Sequence, residues 1–158
     1  EPFADLVREL VERNRPFFGA CFGHQFLGIA LGGTVVPDEE HKEVGTYELE
    51  LTAAGEADPV LHGFPRRFTA QLGHHDRIDR LPPALVTLAS SERCAHQLVR
   101  VPGKPVYGAQ FHAEMTQQDM RTRVGLYPEY DPHGELASRL RDTPYADTLL
   151  SRFVAEYV

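Results

Sequence analysis

The stretch from Pro16 to Gly33 limits most sharply what this chain can become. An apolar run, Pro16-Phe17-Phe18, enters Gly19-Ala20-Cys21-Phe22-Gly23, and a helical pattern follows with Phe26, Leu27, Ile29, Ala30 and Leu31 apolar. The order is strand, tight turn, helix, with a thiol at the turn. Glycines at 19 and 23, two before and two after the thiol, let strand and helix close on each other and permit a strained backbone between them. Cys21 then sits at the N-terminal end of a helix, where unpaired N–H groups and the positive dipole end favour thiolate over thiol. The competing reading is a buried cysteine in a parallel strand, since free Cys is among the most buried residue types.

The remaining pattern is that of one α/β domain spanning residues 1–158, and 158 residues suffice for a real core. Glu1 to Arg15 reads as an amphipathic helix, with Phe3, Leu6, Val7, Leu10 and Val11 on one face. Phe17 to Ala20 is a strand, Gly23 to Leu31 a helix stopped by Gly32-Gly33, and Thr34 to Pro37 a short strand. Val44 to Thr52, Arg67 to Leu72 and Val86 to Ala89 read as further strands. Cys94 to Val101 and Pro105 to Phe111 form a hairpin around Pro102-Gly103-Lys104. Thr116 to Val124 is helical, Gly125 to Gly134 irregular, and Tyr145 to Val158 a closing helix.

A formal charge of -7, with no Lys/Arg cluster, argues against a nucleic-acid surface. No apolar run approaches a membrane span and no signal-peptide core opens the chain, so no membrane partner is expected. Two cysteines, Cys21 and Cys94, are too few for a disulfide framework, which makes a reduced, cytoplasmic setting the default.

A thiol nucleophile needs a base, and the base needs a group to orient it. His112 ends the strand Val106 to Phe111, and Glu114, two residues on, is placed to reach the far imidazole nitrogen. Taken alone, the pair reads as a strand-end histidine beside a solvated carboxylate; only beside Cys21 in its turn does it read as a base and its orienter. Eight histidines invite a metal reading. His74, His75, Asp76 and His112 could assemble one, but adjacent His74 and His75 point apart in a strand, and no H-E-x-x-H or C-x-x-C spacing occurs. No metal site is expected, and Cys94, with no base near it in sequence, reads as packing.

Together, GACFGHQFLGIALGG and YGAQFHAE resemble the class I glutamine amidotransferases, the Cys-His-Glu family. The resemblance implies a flavodoxin-like three-layer sandwich with a mostly parallel sheet, a small antiparallel hairpin region, and the site at the carboxyl ends of the strands. It also implies two strands and an oxyanion loop ahead of the first helix, so the domain reads as incomplete at its N-terminus. Cys21 would be the nucleophile, His112 the base and Glu114 its orienter. The Phe22 N–H would stabilise the oxyanion, Gln25 would contact the glutamine, and backbone groups of Gly73, His74 and His75 would hold its amino-acid end. No cofactor is implied. Ammonia would pass to a synthetase partner or domain.

Three positions depart from the family pattern: Ala113 stands where Pro is usual, Gly73 where Ser is, and His75 where Gly is. The last requires His75 either to accept a positive φ or to reshape the loop. Two other functions therefore stay open, a γ-glutamyl peptidase or hydrolase using the same triad, and a catalytically silent binding module.

Overall fold

The computed structural model describes residues 2–127, 131 and 134–158. Helix α1 (Pro2–Glu12) buries Ala4, Val7 and Val11, one stripe at helical spacing. Strand β1 (Phe17–Ala20) passes into helix α2 (Phe22–Ala30) with Cys21 as the only residue between them. Strands β2 (Thr34–Pro37) and β3 (Glu43–Leu51), the short helix α3 (Ala53–Glu56), and strands β4 (Arg67–His74) and β5 (Asp76–Arg80) follow. Then come β6 (Val86–Ser90), β7 (Leu98–Arg100) and β8 (Val106–Ala109), and helices α4 (Gln117–Leu126), α5 (Leu136–Arg139) and α6 (Leu149–Tyr157). Helix α4 starts at a reciprocal cap, with the Thr116 hydroxyl accepting from Asp119 N–H and the Asp119 carboxylate accepting from Thr116 N–H. The expected irregular stretch from Gly125 to Gly134 falls partly outside the described residues.

Among the described residues, six strands form one sheet in the order β1-β8-β7-β6-β3-β4, while β2 and β5 pair separately. Within the six-stranded sheet only β1 and β8 run parallel; β8–β7, β7–β6, β6–β3 and β3–β4 are antiparallel. The expectation of a mostly parallel sheet is therefore corrected to a mixed one. Parallel neighbours need a crossover of about a dozen residues or more. The connections 91–97 and 101–105 are too short for that and turn the chain back instead.

Helices lie on both sides of this sheet. Strand β8 is buried throughout and alternates between the two faces. Val106 packs with α1 and α2 residues, including Val7 and Leu27. Tyr107 and Ala109 belong to the opposite cluster with Leu149 and Phe153 of α6. The parallel, in-register β1–β8 pair, with Ala20 opposite Ala109, brings the segments after both strands out at the same edge.

Candidate active site

That edge carries Cys21. Its backbone has φ 46° and ψ -100°, a conformation that costs a non-glycine residue about 1–3 kcal/mol and persists only when its surroundings impose it. Two hydrogen bonds fix it: Cys21 N–H donates to Ala109 O at 2.8 Å, and Gln25 N–H donates to Cys21 O at 3.1 Å. Strand and helix meet at backbone contact, because a Cβ on Gly19 would lie 2.5 Å from Gly23 C and 2.6 Å from Gly23 O. At Gly23 a Cβ would meet nothing within 4 Å. The expected need for small residues thus holds at Gly19 and not at Gly23, whose backbone is the surface approached.

Beyond Ala109, alternation sends Gln110 and His112 to the same side as each other. Gln110 Nε2 donates to Cys21 Sγ at 3.7 Å, and Gln110 Oε1 accepts from Gln25 Nε2 at 3.3 Å. Gln25 Nε2 also donates to Asp76 O at 2.9 Å, which ties the start of β5 to the thiol through two side-chain amides. The sequence reading missed Gln110. Its position two residues before His112 on a strand was the available signal.

His112 Nδ1 lies 2.6 Å from Glu114 Oε1. A carboxylate only accepts, so Nδ1 holds its proton and Nε2 is the nitrogen that gains and loses one. Burial alone would lower the His112 pKa; interaction with the Cys21 side chain and with Glu114 outweighs it and lifts the value to about 9. Burial pushes Glu114 upward, but its hydrogen bond with His112 prevails and the carboxyl ends below its usual value. Nε2 is buried and makes no hydrogen bond among the described residues. A Cβ on Gly73 would stand 3.7 Å from that same Nε2.

The remaining expected site residues divide. Phe22, 65% exposed, is the first residue of α2, and its backbone N–H is therefore among those at the open end of the helix. His74 turns its side chain into the core, with Nε2 3.1 Å from Glu43 Oε2 and Nδ1 3.1 Å from Asp76 O. His75 reaches outward to Glu39 Oε1 at 2.5 Å. Among the described non-glycine residues only Asn14 and Cys21 have positive φ. The loop has therefore been reshaped around His75 rather than forcing it into the left-handed region. With β4 reaching His74 and β5 starting at Asp76, the expected loop shrinks to a single residue between strands.

The site thus sets a strained cysteine between strand and helix beside a carboxylate-held histidine, on the segment that continues the neighbouring parallel strand β8. Residues 1–124 match the family described as glutamine amidotransferase class-I. The chain belongs to that family. Among curated relatives it is similar to a glutamine-hydrolysing GMP synthase subunit of Methanosarcina acetivorans, 36% identical over 112 residues that make up 71% of this chain and 56% of that protein. It is likewise 34% identical to the corresponding GMP synthase subunit of Pyrococcus abyssi over 114 residues, 72% of this chain and 58% of the relative. The chain thus spans a little over half the length of these relatives. A glutamine amidotransferase from Thermotoga maritima has a similar fold, with TM-score 0.80 and 25% identity across 98% of this chain and 67% of that one. Another, from Methylobacillus flagellatus, gives TM-score 0.82 at 24% identity across 99% and 69% of the two chains.

Proposed function

We propose that this domain hydrolyses the side-chain amide of glutamine through a thioester on Cys21. The observation that carries the reading is the joint setting of one imidazole: His112 is bonded to Glu114 through Nδ1, while Cys21 raises its pKa from the other side. Cys21 Sγ forms a bond to the amide carbon, and the C–N bond breaks as ammonia leaves with a proton from His112 Nε2. Water, deprotonated by His112, then cleaves the C–S bond to release glutamate and the thiol. The Phe22 N–H stabilises the oxyanion. Gln25, held by Asp76 O and Gln110, lies beside the substrate, and backbone groups of Gly73 to His75 receive its amino-acid end. The ammonia passes to a synthetase partner, a role in keeping with the similarity to GMP synthase subunits. The setting is cytoplasmic, in keeping with two cysteines that are both free thiols. No helix among the described residues is long and apolar enough to cross a membrane.

One observation favours a second substrate for the same chemistry. His75, held by Glu39, occupies the turn where the amino-acid end of glutamine would dock, so a γ-glutamyl amide of different shape is the alternative. Glutamate and ammonia release is the measurement. Cys21→Ala should abolish turnover, and His112→Ala should cost at least ~10²-fold. Turnover of glutamine that survives Cys21→Ala would remove the reading; turnover confined to γ-glutamyl peptides would move the triad to that substrate.

A further inference from the structure

On the far side of the His74 turn, outside the proposed catalytic residues, three side chains of different chemistry meet in the core. Glu43 begins β3 and His74 ends β4, and the two residues are register partners. Cys94 lies in the 91–97 connection, where Ser91 N–H donates to Cys94 O and Cys94 N–H donates to the Ser91 hydroxyl. One donor atom from each of the three, a carboxylate oxygen, an imidazole nitrogen and a sulfur, all lie within 4.8 Å of one another. Exposure is 0% for Glu43, 4% for His74 and 1% for Cys94.

The proton inventory of this cluster is unusual. His74 Nδ1 faces the Asp76 carbonyl, which only accepts, so Nδ1 carries a hydrogen. Nε2 then faces Glu43 Oε2 at 3.1 Å, a contact between two acceptors unless one dissociable proton sits between them. The same Oε2 accepts from Gln97 Nε2 at 2.6 Å, while Glu43 Oε1 and Gln97 Oε1 are buried with no partner among the described residues. Orphaned buried oxygens are costly and rare. Glu43 and Ser91 also line a cavity of about 410 Å³.

We propose that Glu43, His74 and Cys94 form a binding site for one divalent transition-metal ion of the zinc type. Carboxylate, neutral imidazole and thiolate carry two negative charges together, so a divalent ion makes the buried site electrically neutral. Mixed nitrogen, sulfur and oxygen donors select zinc or cobalt over magnesium or calcium. Bonds of about 2.0–2.3 Å at tetrahedral angles set ligand atoms roughly 3.3–3.8 Å apart, which small side-chain rotations reach from the observed spacing. Gln97, already against Glu43, is the adjacent neutral donor. Binding releases the proton shared by His74 and Glu43 and that of the Cys94 thiol, about two per ion. The ion would pin the turn that presents Asp76 O to Gln25, and so brace the glutamine-binding side of the pocket. The site does not depend on whether Cys21 attacks glutamine.

Cobalt(II) titration of the Cys21→Ser protein tests this, because Cys94 is then the only thiol in the chain. The expected result is one ion per chain with a thiolate-to-cobalt charge-transfer band, about two protons released, and a melting temperature raised by zinc. Adding Cys94→Ser should remove the band, and Glu43→Gln should weaken binding at least tenfold. No charge-transfer band in Cys21→Ser under excess cobalt overturns the proposal without recourse to any core variant. So does a band of full strength that survives loss of Cys94, or ion binding that shows no thiolate signature.

Discussion

Replacing Glu114 with Gln keeps the size of the side chain and an oxygen facing His112 Nδ1, and removes only the charge. At about 1.4 kcal/mol per pH unit, the rise of His112 from 6.5 to about 9 amounts to about 3 kcal/mol of preference for the imidazolium. That figure is net of the burial effect, which opposes it, so Cys21 and Glu114 together supply more. An opposite charge in contact is worth about 1–3 units of pKa, and Glu114→Gln should therefore lower the His112 midpoint from about 9 by about 1–3 units, into the range of about 6–8. The folded value lies above the unfolded one. The associated stability is thus fully present below pH 6.5 and is lost as pH rises through about 9 in the wild type. In Glu114→Gln the loss should be smaller, by about 2 kcal/mol, and complete at a lower pH. Following the His112 Cε1 proton by NMR from pH 5 to 10, with urea unfolding at pH 6 and pH 10, reads both quantities. A His112 midpoint unchanged by the substitution would refute the assignment of Glu114 as the group that sets the imidazole.

Other perturbations follow from the same contacts. Gly19→Ala forces a Cβ to within 2.5 Å of Gly23 backbone, and should destabilise by about 1–3 kcal/mol or more in urea unfolding, with turnover falling as Cys21 shifts. Cys21→Gly relieves the positive φ of 46°, so the inactive protein should gain about 1 kcal/mol despite the greater freedom of glycine in the unfolded chain. Arg100→Ala removes the guanidinium 2.7 Å from buried Asp58, leaving Tyr107 as the remaining side-chain donor to that carboxylate among the described residues. It should cost about 3 kcal/mol, seen as a lower denaturation midpoint, while turnover at saturating substrate changes little. Iodoacetamide at pH 7 should modify Cys21 and spare Cys94, which is buried and whose thiol burial pushes up to about 11; peptide mass spectrometry reads the site.

What was legible in the sequence was local. The apolar run, glycine and cysteine of residues 16–23 dictate a strand, a strained turn and a helix, because steric limits on φ and ψ act between near neighbours. Period-3.6 and period-2 patterns located α1, β3, β4 and the hairpin to within a few residues, since they record which faces must leave water. His112 and Glu114, two residues apart, were visible for the same reason. Periodicity is silent on which strand lies beside which and in what direction. The mixed order β1-β8-β7-β6-β3-β4 was therefore decided by connection lengths and tertiary packing. So was the union of Cys21 with Gln110, 89 positions away in the chain. Glu43 and His74, 31 positions apart, look like a solvated carboxylate and a loop histidine when read along the chain. Only the β3–β4 register sets those two side by side, and only the path of the 91–97 connection brings Cys94 to them in the core, where water is excluded.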